Sequence, residues 1–512
     1  MLNPLDRLQA AVADRYRIGR RLGTGGMGVV YEAFDRVHAR PVAIKTLYFD
    51  NPAAVYLLKK EFRTLADVSH PNLISLYELV GEGEVWFIAM ELIRGETFRD
   101  FVRPRGPPTA SGEPAADALD VTRLRSALAQ LAEGIHHLHG AGKWHLDLKP
   151  SNVLVTGEGR VVILDFGISG QVHEGRDATV VTRGAGAGTA MYMAPEQVDA
   201  EGGIAASDWY AVGVMLYEAL TGRLPFEGST ELAVLGRKIT GGFVPVSAVA
   251  PDAPGDLAAL CMDLLARQPE QRPRGHEVLA RLGSPERRGP PAPHLAQRAP
   301  AILGRGPHLA TLEQALEKAC RGHEICVYVH GPSGIGKSTL VAHFLREIAE
   351  RRSAVVLQGR CSPRESVPYK AFDGVLDSLT RHLRSLKKEE AAELLPADIL
   401  ELARVFPVLT QVEEVAAHPA RRTEIPDALE LRRRAFGALR ELLTRIARSR
   451  PVVIYIDDLQ WADVDSIALL DDLLRPPTAP PLLLVSCFRS EQEQEHPPPL
   501  PAWIISKILI AS

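Results

Sequence analysis

Short runs of alternating apolar and polar residues fill the N-terminal part of the chain, from Tyr16 to about Leu92. Gly and Asp bound these runs, and one helical stretch, roughly Ala53 to Val68, interrupts them. Alternation with a period of two predicts strands, whereas recurrence every three to four residues predicts a helix. The pattern therefore predicts a five-stranded antiparallel lobe with a single helix.

Helical periodicity dominates from about Val121 to Leu282 and predicts a larger, mostly helical lobe. Its clearest runs are Val121 to His139 and DWYAVGVMLYEALTG, whose apolar residues nearly surround the helix and indicate burial. Ahead of these runs, the Pro-, Gly- and Ala-rich segment from Val102 to Asp120 predicts a mobile surface insertion.

A second break, rich in Pro and Arg, predicts a semi-stiff linker between domains. After it the order strand, glycine loop, helix, strand, several helices, strand, helix, strand predicts a parallel α/β sheet. A chain of 512 residues suggests two or three domains. The predicted parts are an N-terminal tail (1–11), a first domain (12–282, small lobe to about 92, large lobe from about 93), a linker (283–301), a second domain (302–491) and an atypical C-terminal tail (492–512). A truncation and a frame-shifted end are two open interpretations of this tail.

Composition narrows the classes of function. The net charge of −4 comes from 59 basic and 63 acidic residues that are well mixed, which disfavours nucleic acid and membrane surfaces as partners. Five scattered cysteines without CxxC spacing argue against a disulfide framework or a zinc site. No signal peptide and no long apolar window is evident, so a cytoplasmic location is expected.

The first chemical motif is the glycine-rich sequence LGTGGMGVV, which alone is better explained by a tight hairpin than by a nucleotide site. Lys45 follows on the third predicted strand and Glu61 on the predicted helix. A Lys held by a Glu can bind the α- and β-phosphates of a nucleotide while the glycine backbone closes over them. The glycine-rich sequence, Lys45 and Glu61 in this order indicate a nucleotide site much more specifically than any one of them alone.

Further motifs appear in order through the rest of this region: HLDLKPSN, LDFGIS, GTAMYMAPEQ, SDWYAVGVMLYEALTG and QRP. With them, the segment from about Tyr16 to Leu282 resembles a eukaryotic-type protein kinase domain of the kind found in bacteria. The resemblance implies a bilobal kinase fold that uses ATP and Mg²⁺ to phosphorylate protein hydroxyls. Lys149 together with Gly188 and Thr189 resembles the serine/threonine subgroup.

The resemblance also implies site residues. Asp147 would accept the proton of the acceptor hydroxyl, Lys149 would stabilise the moving phosphoryl group, and Asn152 and Asp165 would hold Mg²⁺. The implied catalytic set is Asp147, Lys149, Asn152, Asp165, Lys45 and Glu61. The implied nucleotide contacts are Gly23, Gly25, Gly28, Val30, Ala43, Lys45, Glu91 and Ile93, with Met90 behind the adenine. Implied structural supports are Glu196 with Arg272, Asp208 under the catalytic loop, and the stack Leu65, His145 and Phe166.

One position departs from the family pattern. Leu146 stands where most relatives carry an Arg whose charge is relieved by a phosphate on the activation loop. Because the catalytic residues are retained, we expect a kinase that depends less on activation-loop phosphorylation. Thr179 and Thr182 are candidate autophosphorylation sites, and an exposed flexible loop explains them equally well.

The second motif, GPSGIGKS, lies directly between a predicted strand and helix, which is the context that a phosphate-binding P-loop requires. Downstream, the strand PVVIYI ends in two acids, of which Asp457 can hold the magnesium shell and Asp458 can polarise a water. The predicted nucleotide-binding set is Gly331, Gly334, Gly336, Lys337, Ser338, Thr339, Asp457 and Asp458, with Ser338 and Asp457 at the metal.

Together with ILGRGPHLATLEQAL and PPLLLVSCFRSEQ, this half resembles the STAND class of AAA-related ATPases, from about Ile302 to Glu491. Arg489 stands where that class often places a γ-phosphate sensor, although a surface Arg is nearly as good an interpretation.

The expected function is therefore a serine/threonine protein kinase with a nucleotide-binding ATPase module for regulation or signal sensing. The expected partners are protein substrates, with self-association through the ATPase domain. Two alternatives stay open: a catalytically silent nucleotide-binding scaffold with an ATP-driven assembly switch, and a kinase whose ATPase module is inert.

Overall fold

The computed structural model describes most of the chain. The described residues are 8–9, 12–25, 28–47, 52–82, 85–104, 118–164, 190–197, 203–228, 230–283, 305–351, 353–419 and 427–489. They divide into two compact units, of which the first consists of residues 1–49, 57–77 and 85–297 and the second mainly of residues 298–512.

The small lobe of the first unit is a sheet with one helix, as predicted. Its strands lie side by side in the order β1-β2-β3-β5-β4, with antiparallel pairing of β1 to β2, β2 to β3 and β3 to β5. The elements are β1 (Tyr16–Gly25), β2 (Gly28–Asp35), β3 (Arg40–Leu47), α1 (Pro52–Leu65), β4 (Leu76–Glu82) and β5 (Val85–Glu91).

The strand register aligns several predicted nucleotide contacts. Gly23 pairs with Val30, Val30 with Lys45, and Lys45 with Ile88, so the four form one row across β1, β2, β3 and β5. Paired residues in a sheet point to the same face, as do residues two apart on a strand. Val30, Lys45 and Ala43 therefore share one face of the lobe.

Gly28, at the start of β2, is required by a close backbone approach. A Cβ at this position would lie 1.9 Å from the Thr46 carbonyl oxygen of β3. Real Cβ atoms do not come this near to a backbone oxygen, so only glycine fits.

The larger lobe of the first unit is mostly helical, as predicted, and carries a small antiparallel sheet in the order β6-β7-β8. Helix α4 is buried along its length, from Ser207 to Leu220, as its apolar sequence predicted. The elements are β6 (Gly95–Thr97), α2 (Phe98–Val102), α3 (Val121–Gly140), β7 (Val153–Thr156), β8 (Val161–Ile163), α4 (Ala205–Thr221), α5 (Glu231–Thr240), α6 (Val246–Val249), α7 (Gly255–Leu264) and α8 (Gly275–Arg281).

The second unit is built on a parallel sheet in the order β10-β12-β13-β9, which confirms the predicted α/β class. Its strands are β9 (Ile325–Gly331), β10 (Val355–Arg360), β11 (Glu365–Ser366), β12 (Val452–Asp457) and β13 (Leu482–Arg489). Its helices are α9 (Gly306–Cys320), α10 (Lys337–Glu350), α11 (Lys370–Ser385), α12 (Lys388–Leu394), α13 (Ile399–Val405), α14 (Glu413–Ala416), α15 (Ala428–Ala447) and α16 (Val464–Leu473).

Both faces of this sheet are covered, which explains the continuous apolar run of β12. Val452 and Ile454 belong to a core that includes residues of α11 and α15, whereas Val453 and Tyr455 belong to a second core with α9 and α10. Alternate residues of a strand point to opposite faces, so a strand between two helical layers needs apolar residues at every position. The carboxyl ends of β9, β12 and β13 meet at one edge, where the candidate nucleotide site lies.

Several predicted segments lie outside the described residues: 105–117 of the insertion, 284–301 of the linker and the C-terminal tail 492–512. Within the part of the chain that is described, no helix is both long enough and apolar enough to span a membrane.

Candidate active site and nucleotide-binding loop

Three predicted catalytic residues lie together on the loop that precedes β7. The Lys149 ammonium donates to the Asp147 carboxylate at 2.9 and 3.2 Å. The Asn152 amide nitrogen donates to the same carboxylate at 3.0 Å and to the Asp147 carbonyl oxygen at 2.9 Å. Because Nδ2 is used in this way, the amide oxygen of Asn152 is the atom that can serve as a metal ligand.

Asp208, on helix α4, binds the backbone of this loop. Its buried carboxylate accepts hydrogen bonds from the backbone amides of His145 at 2.9 Å and Leu146 at 2.7 Å, and lies 2.8 Å from His139 Nε2. Burial alone would raise the pKa of Asp208, but the hydrogen bond and charge of His139, together with the His145 amide, lower it below its ordinary value. Asp208 is therefore ionised and fixes the backbone immediately before Asp147.

His145 is fully buried and connects the catalytic loop to β8. Its Nδ1 accepts from the Asp147 amide at 3.2 Å, and its Nε2 lies 2.8 Å from the Leu164 carbonyl oxygen. A nitrogen that accepts carries no proton, so Nε2 is the protonated atom and donates to Leu164. This places a hydrogen-bonded ring between Asp147 and the strand end that precedes Asp165.

The segment 190–197 is anchored beside the same loop. Glu196 forms a buried double ion pair with Arg272 at 2.6 and 2.9 Å and accepts from the Ser207 hydroxyl at 2.7 Å. The Gln197 side chain donates to the Leu146 carbonyl oxygen at 3.2 Å. Sequence reasoning singled out Glu196 and Arg272 but missed Gln197 and His139, whose partners are 51 and 69 residues away in the chain.

In the small lobe, Lys45 and Glu61 form the predicted ion pair. The Lys45 ammonium donates to the two carboxylate oxygens of Glu61 at 2.8 and 3.1 Å, and both side chains are largely buried. Lys45 pairs with Val30, and Val30 pairs with Gly23. Lys45 therefore lies in the same row as the β1–β2 hairpin, which contains Gly23, Gly25 and Gly28. A cation in this position can bind nucleotide phosphates.

The strand β5 ends in the residues predicted to meet the adenine base. Met90 is buried and pairs with Ala43. The Glu91 amide donates to the Ser75 carbonyl oxygen, and Ile93 follows in the next loop. Contact of the Glu91 carbonyl and the Ile93 amide with the base stays a prediction. The Glu91 carboxylate is bound by Arg160 at 2.5 and 3.1 Å, a contact that no sequence motif indicated.

Leu146, the residue that departs from the family pattern, is buried and has a left-handed backbone with φ 61°. Its methyl groups pack against Gly203, because a Cβ built on Gly203 would lie 2.5 Å from Leu146 Cδ2. A side chain with no charge thus fills the position directly before Asp147.

Six predicted residues lie outside the described residues. They are Asp165, Phe166, Thr179, Thr182, Gly188 and Thr189.

In the second unit, the P-loop joins β9 to helix α10. Gly334 and Gly336 adopt positive φ values of 78° and 91°, which glycine allows without strain. The Lys337 ammonium donates to the carbonyl oxygens of Gly331 and Pro332 at 2.8 Å each, so it lies across its own loop. The helix begins at Lys337, and its first backbone amides form an anion-binding N-terminus.

A hydroxyl and a carboxylate meet at the start of α10. Ser338 Oγ lies 3.1 and 3.2 Å from the two Asp457 oxygens, although the residues are 119 positions apart, and Thr339 follows Ser338 on the exposed side. Hydroxyl and carboxylate oxygens are the donors that Mg²⁺ prefers. The pair therefore fits the predicted metal position of this domain.

Asp458 and Arg489 form an ion pair with each other. The Arg489 guanidinium donates to both Asp458 oxygens at 3.0 and 3.1 Å, Gln460 adds a third hydrogen bond at 3.0 Å, and Arg360 lies 3.7 Å away. Burial would raise the pKa of Asp458, but the Arg489 and Gln460 hydrogen bonds lower it overall. The two residues were predicted to have separate roles, and the structure brings them together.

Comparisons with known proteins agree with this geometry. Residues 16–281 match the family model described as a protein kinase domain, and residues 301–485 match the one described as an AAA ATPase domain. Serine/threonine-protein kinase PknA of Mycobacterium tuberculosis is 33% identical over 303 residues, which cover 57% of this chain and 66% of that protein.

Two further relatives match the same region. Serine/threonine-protein kinase PknB of Mycobacterium tuberculosis is 33% identical over 270 residues, which cover 51% of this chain and 41% of that protein. A probable serine/threonine-protein kinase of Clostridium acetobutylicum is 27% identical over 277 residues, or 53% of this chain and 40% of that protein. The matches thus span just under two thirds of PknA and about two fifths of the other two.

The matched segment contains the ion pair of the small lobe, the catalytic loop and its buried anchor. The chain belongs to the protein kinase family, and its kinase domain is followed by an AAA ATPase domain.

Proposed function

We propose that this chain is an ATP-dependent serine/threonine protein kinase whose second domain binds nucleotide and regulates it. The observation that carries the proposal is the cluster of Asp147, Lys149 and Asn152, held on a buried anchor. The formed ion pair between Lys45 and Glu61 supports it from the other lobe. Relatives named serine/threonine-protein kinases support the choice of hydroxyl substrate.

The proposed reaction joins the oxygen of a Ser or Thr side chain to the γ-phosphorus of ATP. The bond between that phosphorus and the β–γ bridging oxygen breaks, and ADP leaves with the bonding electrons. Asp147 orients the acceptor hydroxyl and receives its proton. Its carboxylate is only about one-fifth exposed, and the two donors Lys149 and Asn152 fix its position. Lys149 lies within reach of the transferred group and offsets its negative charge.

Magnesium fits the oxygen donors of the site, and would neutralise phosphate charge when bound. In the kinase domain we assign it to the Asn152 amide oxygen and to Asp165. In the ATPase domain we assign it to Ser338 and Asp457, whose oxygens already lie 3.1 to 3.2 Å apart.

The second domain is proposed to act as a STAND-like nucleotide switch. The ion pair between Asp458 and Arg489 occupies both residues that would engage the γ-phosphate and the attacking water. We therefore propose that nucleotide binding and hydrolysis require these two side chains to separate. Self-association of this domain stays a prediction from the sequence.

The first test is labelled γ-phosphate transfer from ATP to the protein itself and to a basic protein substrate. Asp147→Asn removes the proton acceptor, so transfer is expected to fall by at least about 100-fold. Asp263→Asn is the matched control, because Asp263 is an exposed carboxylate that pairs only at the surface with Arg281. A folded Asp147→Asn protein with wild-type transfer would contradict the role of Asp147 as proton acceptor. A folded wild type with no transfer would favour the silent scaffold.

Coupling between the domains is tested by Lys337→Ala, which removes the phosphate-binding cation of the P-loop. We expect nucleotide affinity of the second domain to fall by at least about ten-fold and the rate or the phosphosite pattern of autophosphorylation to change. Mass spectrometry of phosphosites and titration with a fluorescent ATP analogue measure the two effects. If nucleotide affinity falls but neither the rate nor the pattern changes, the regulatory role is wrong.

The regulatory consequence of Leu146 is tested by Leu146→Arg, with the volume-conserving Leu146→Met as control. A buried Arg before Asp147 needs a negative partner, and a phosphate at Thr179 or Thr182 would supply one. Phosphatase treatment is expected to reduce the activity of Leu146→Arg by about ten-fold, and that of wild type and Leu146→Met by less than about two-fold. Equal phosphatase sensitivity of folded Leu146→Arg and wild type would refute this account of regulation.

A further inference from the structure

Lys238 is a buried lysine that belongs to none of the sequence motifs and contacts residues 190–193. Lys238, on helix α5, is only 1% exposed. Its position matches the apolar stripe formed by Val234 and Leu235, so periodicity alone would predict an apolar residue there. Burying an ammonium costs free energy unless hydrogen bonds satisfy it, and a buried lysine therefore requires an explanation.

The ammonium of Lys238 is satisfied by one short segment of the chain. It donates to the carbonyl oxygens of Ala190 at 3.0 Å, Met191 at 2.6 Å and Met193 at 2.7 Å. An ammonium has three donors and no acceptor, so the number of donors matches the number of carbonyls. Neither an amide nor an apolar side chain of similar length can replace all three bonds.

The surroundings of the ammonium are aromatic rather than acidic. Its Nζ lies 5.5 Å from the ring centre of Tyr210 and 6.0 Å from that of Phe226. Among the described residues, no carboxylate forms an ion pair with it, and burial lowers the pKa of Lys238 to about 7. The ammonium is thus satisfied by carbonyl oxygens rather than by an acidic partner, and it joins helix α5 to residues 190–193.

The segment that Lys238 holds is joined to the loop that carries Asp147. Gln197, at its end, accepts from the Ala194 amide at 2.8 Å and donates to the carbonyl oxygen of Leu146, the residue before Asp147. Its Tyr192 hydroxyl is also fixed, donating to Glu218 at 2.7 Å. The backbone that Lys238 holds is thus joined through Gln197 to the residue before Asp147, on the route by which a protein substrate is expected to bring its hydroxyl to that carboxylate.

We infer that Lys238 is a positioning residue for the protein substrate, which sets the backbone of residues 190–193 through three carbonyl hydrogen bonds. The inference rests on the proposed kinase function. It assigns Lys238 an effect on the affinity for the acceptor protein and none on the affinity for ATP, whose phosphates are proposed to bind at Lys45.

Lys238→Met in the full chain tests the inference, with myelin basic protein as the acceptor probe. Loss of the three bonds is expected to raise KM for the acceptor by about ten-fold, with kcat and KM for ATP changed by less than about three-fold. Amide hydrogen exchange in residues 190–197 should accelerate by at least about ten-fold. Lys238→Gln retains two N–H donors, so its acceptor KM should lie between those of wild type and Lys238→Met.

Arg237→Met is the matched control, because it removes a positive charge from the same helix at an exposed residue that contacts Glu227 rather than residues 190–193. It should leave acceptor KM and local exchange unchanged. A folded Lys238→Met or Lys238→Gln protein with wild-type acceptor KM and exchange overturns the inference. If wild type transfers no phosphate, the proposed function fails, while the exchange of residues 190–197 still decides whether Lys238 holds them.

Discussion

The geometry of the kinase site depends on one buried carboxylate. Asp208 accepts from two consecutive backbone amides, those of His145 and Leu146, and a third contact, with His139, helps to keep it ionised. Because both amides donate to one carboxylate, the backbone of the loop is fixed at His145 and Leu146. The residue that follows them is Asp147, so its position is fixed as well. The positions of Lys149 and Asn152 follow, because both donate to Asp147.

This anchor also explains how Leu146 can replace a charged residue without disturbing the site. Its backbone amide is bound to Asp208 and its carbonyl to Gln197, so the backbone before Asp147 is held at both polar groups. The side chain only fills space against Gly203. The backbone of residue 146 supports the catalytic loop, whereas a regulatory charge would be carried by its side chain. Loss of that charge therefore leaves the support of the loop intact.

Much of this arrangement could be predicted from the sequence, because local patterns specify it. The alternation of the small lobe, the all-round apolar helix α4 and the strand–loop–helix of the P-loop each depend on neighbouring residues. Contacts between distant residues could not be predicted in this way. Arg160 on Glu91 and Lys238 on Ala190 match no motif, and only folding brings them together. The meeting of Asp458 and Arg489 follows from parallel strands β12 and β13 ending at one edge, but their mutual ion pair depends on side-chain conformations that a sequence does not specify.

The central claim, that the Asp208 carboxylate holds the catalytic loop, is tested most directly by the kcat of Asp208→Asn in phosphate transfer. The amide keeps the size of the carboxylate but turns one acceptor into a donor, which leaves a buried N–H unsatisfied at a cost of about 1–3 kcal/mol. The account predicts a folded protein that binds ATP with an affinity within about three-fold of wild type while kcat falls by at least about ten-fold. A folded Asp208→Asn protein with the kcat of wild type would contradict it.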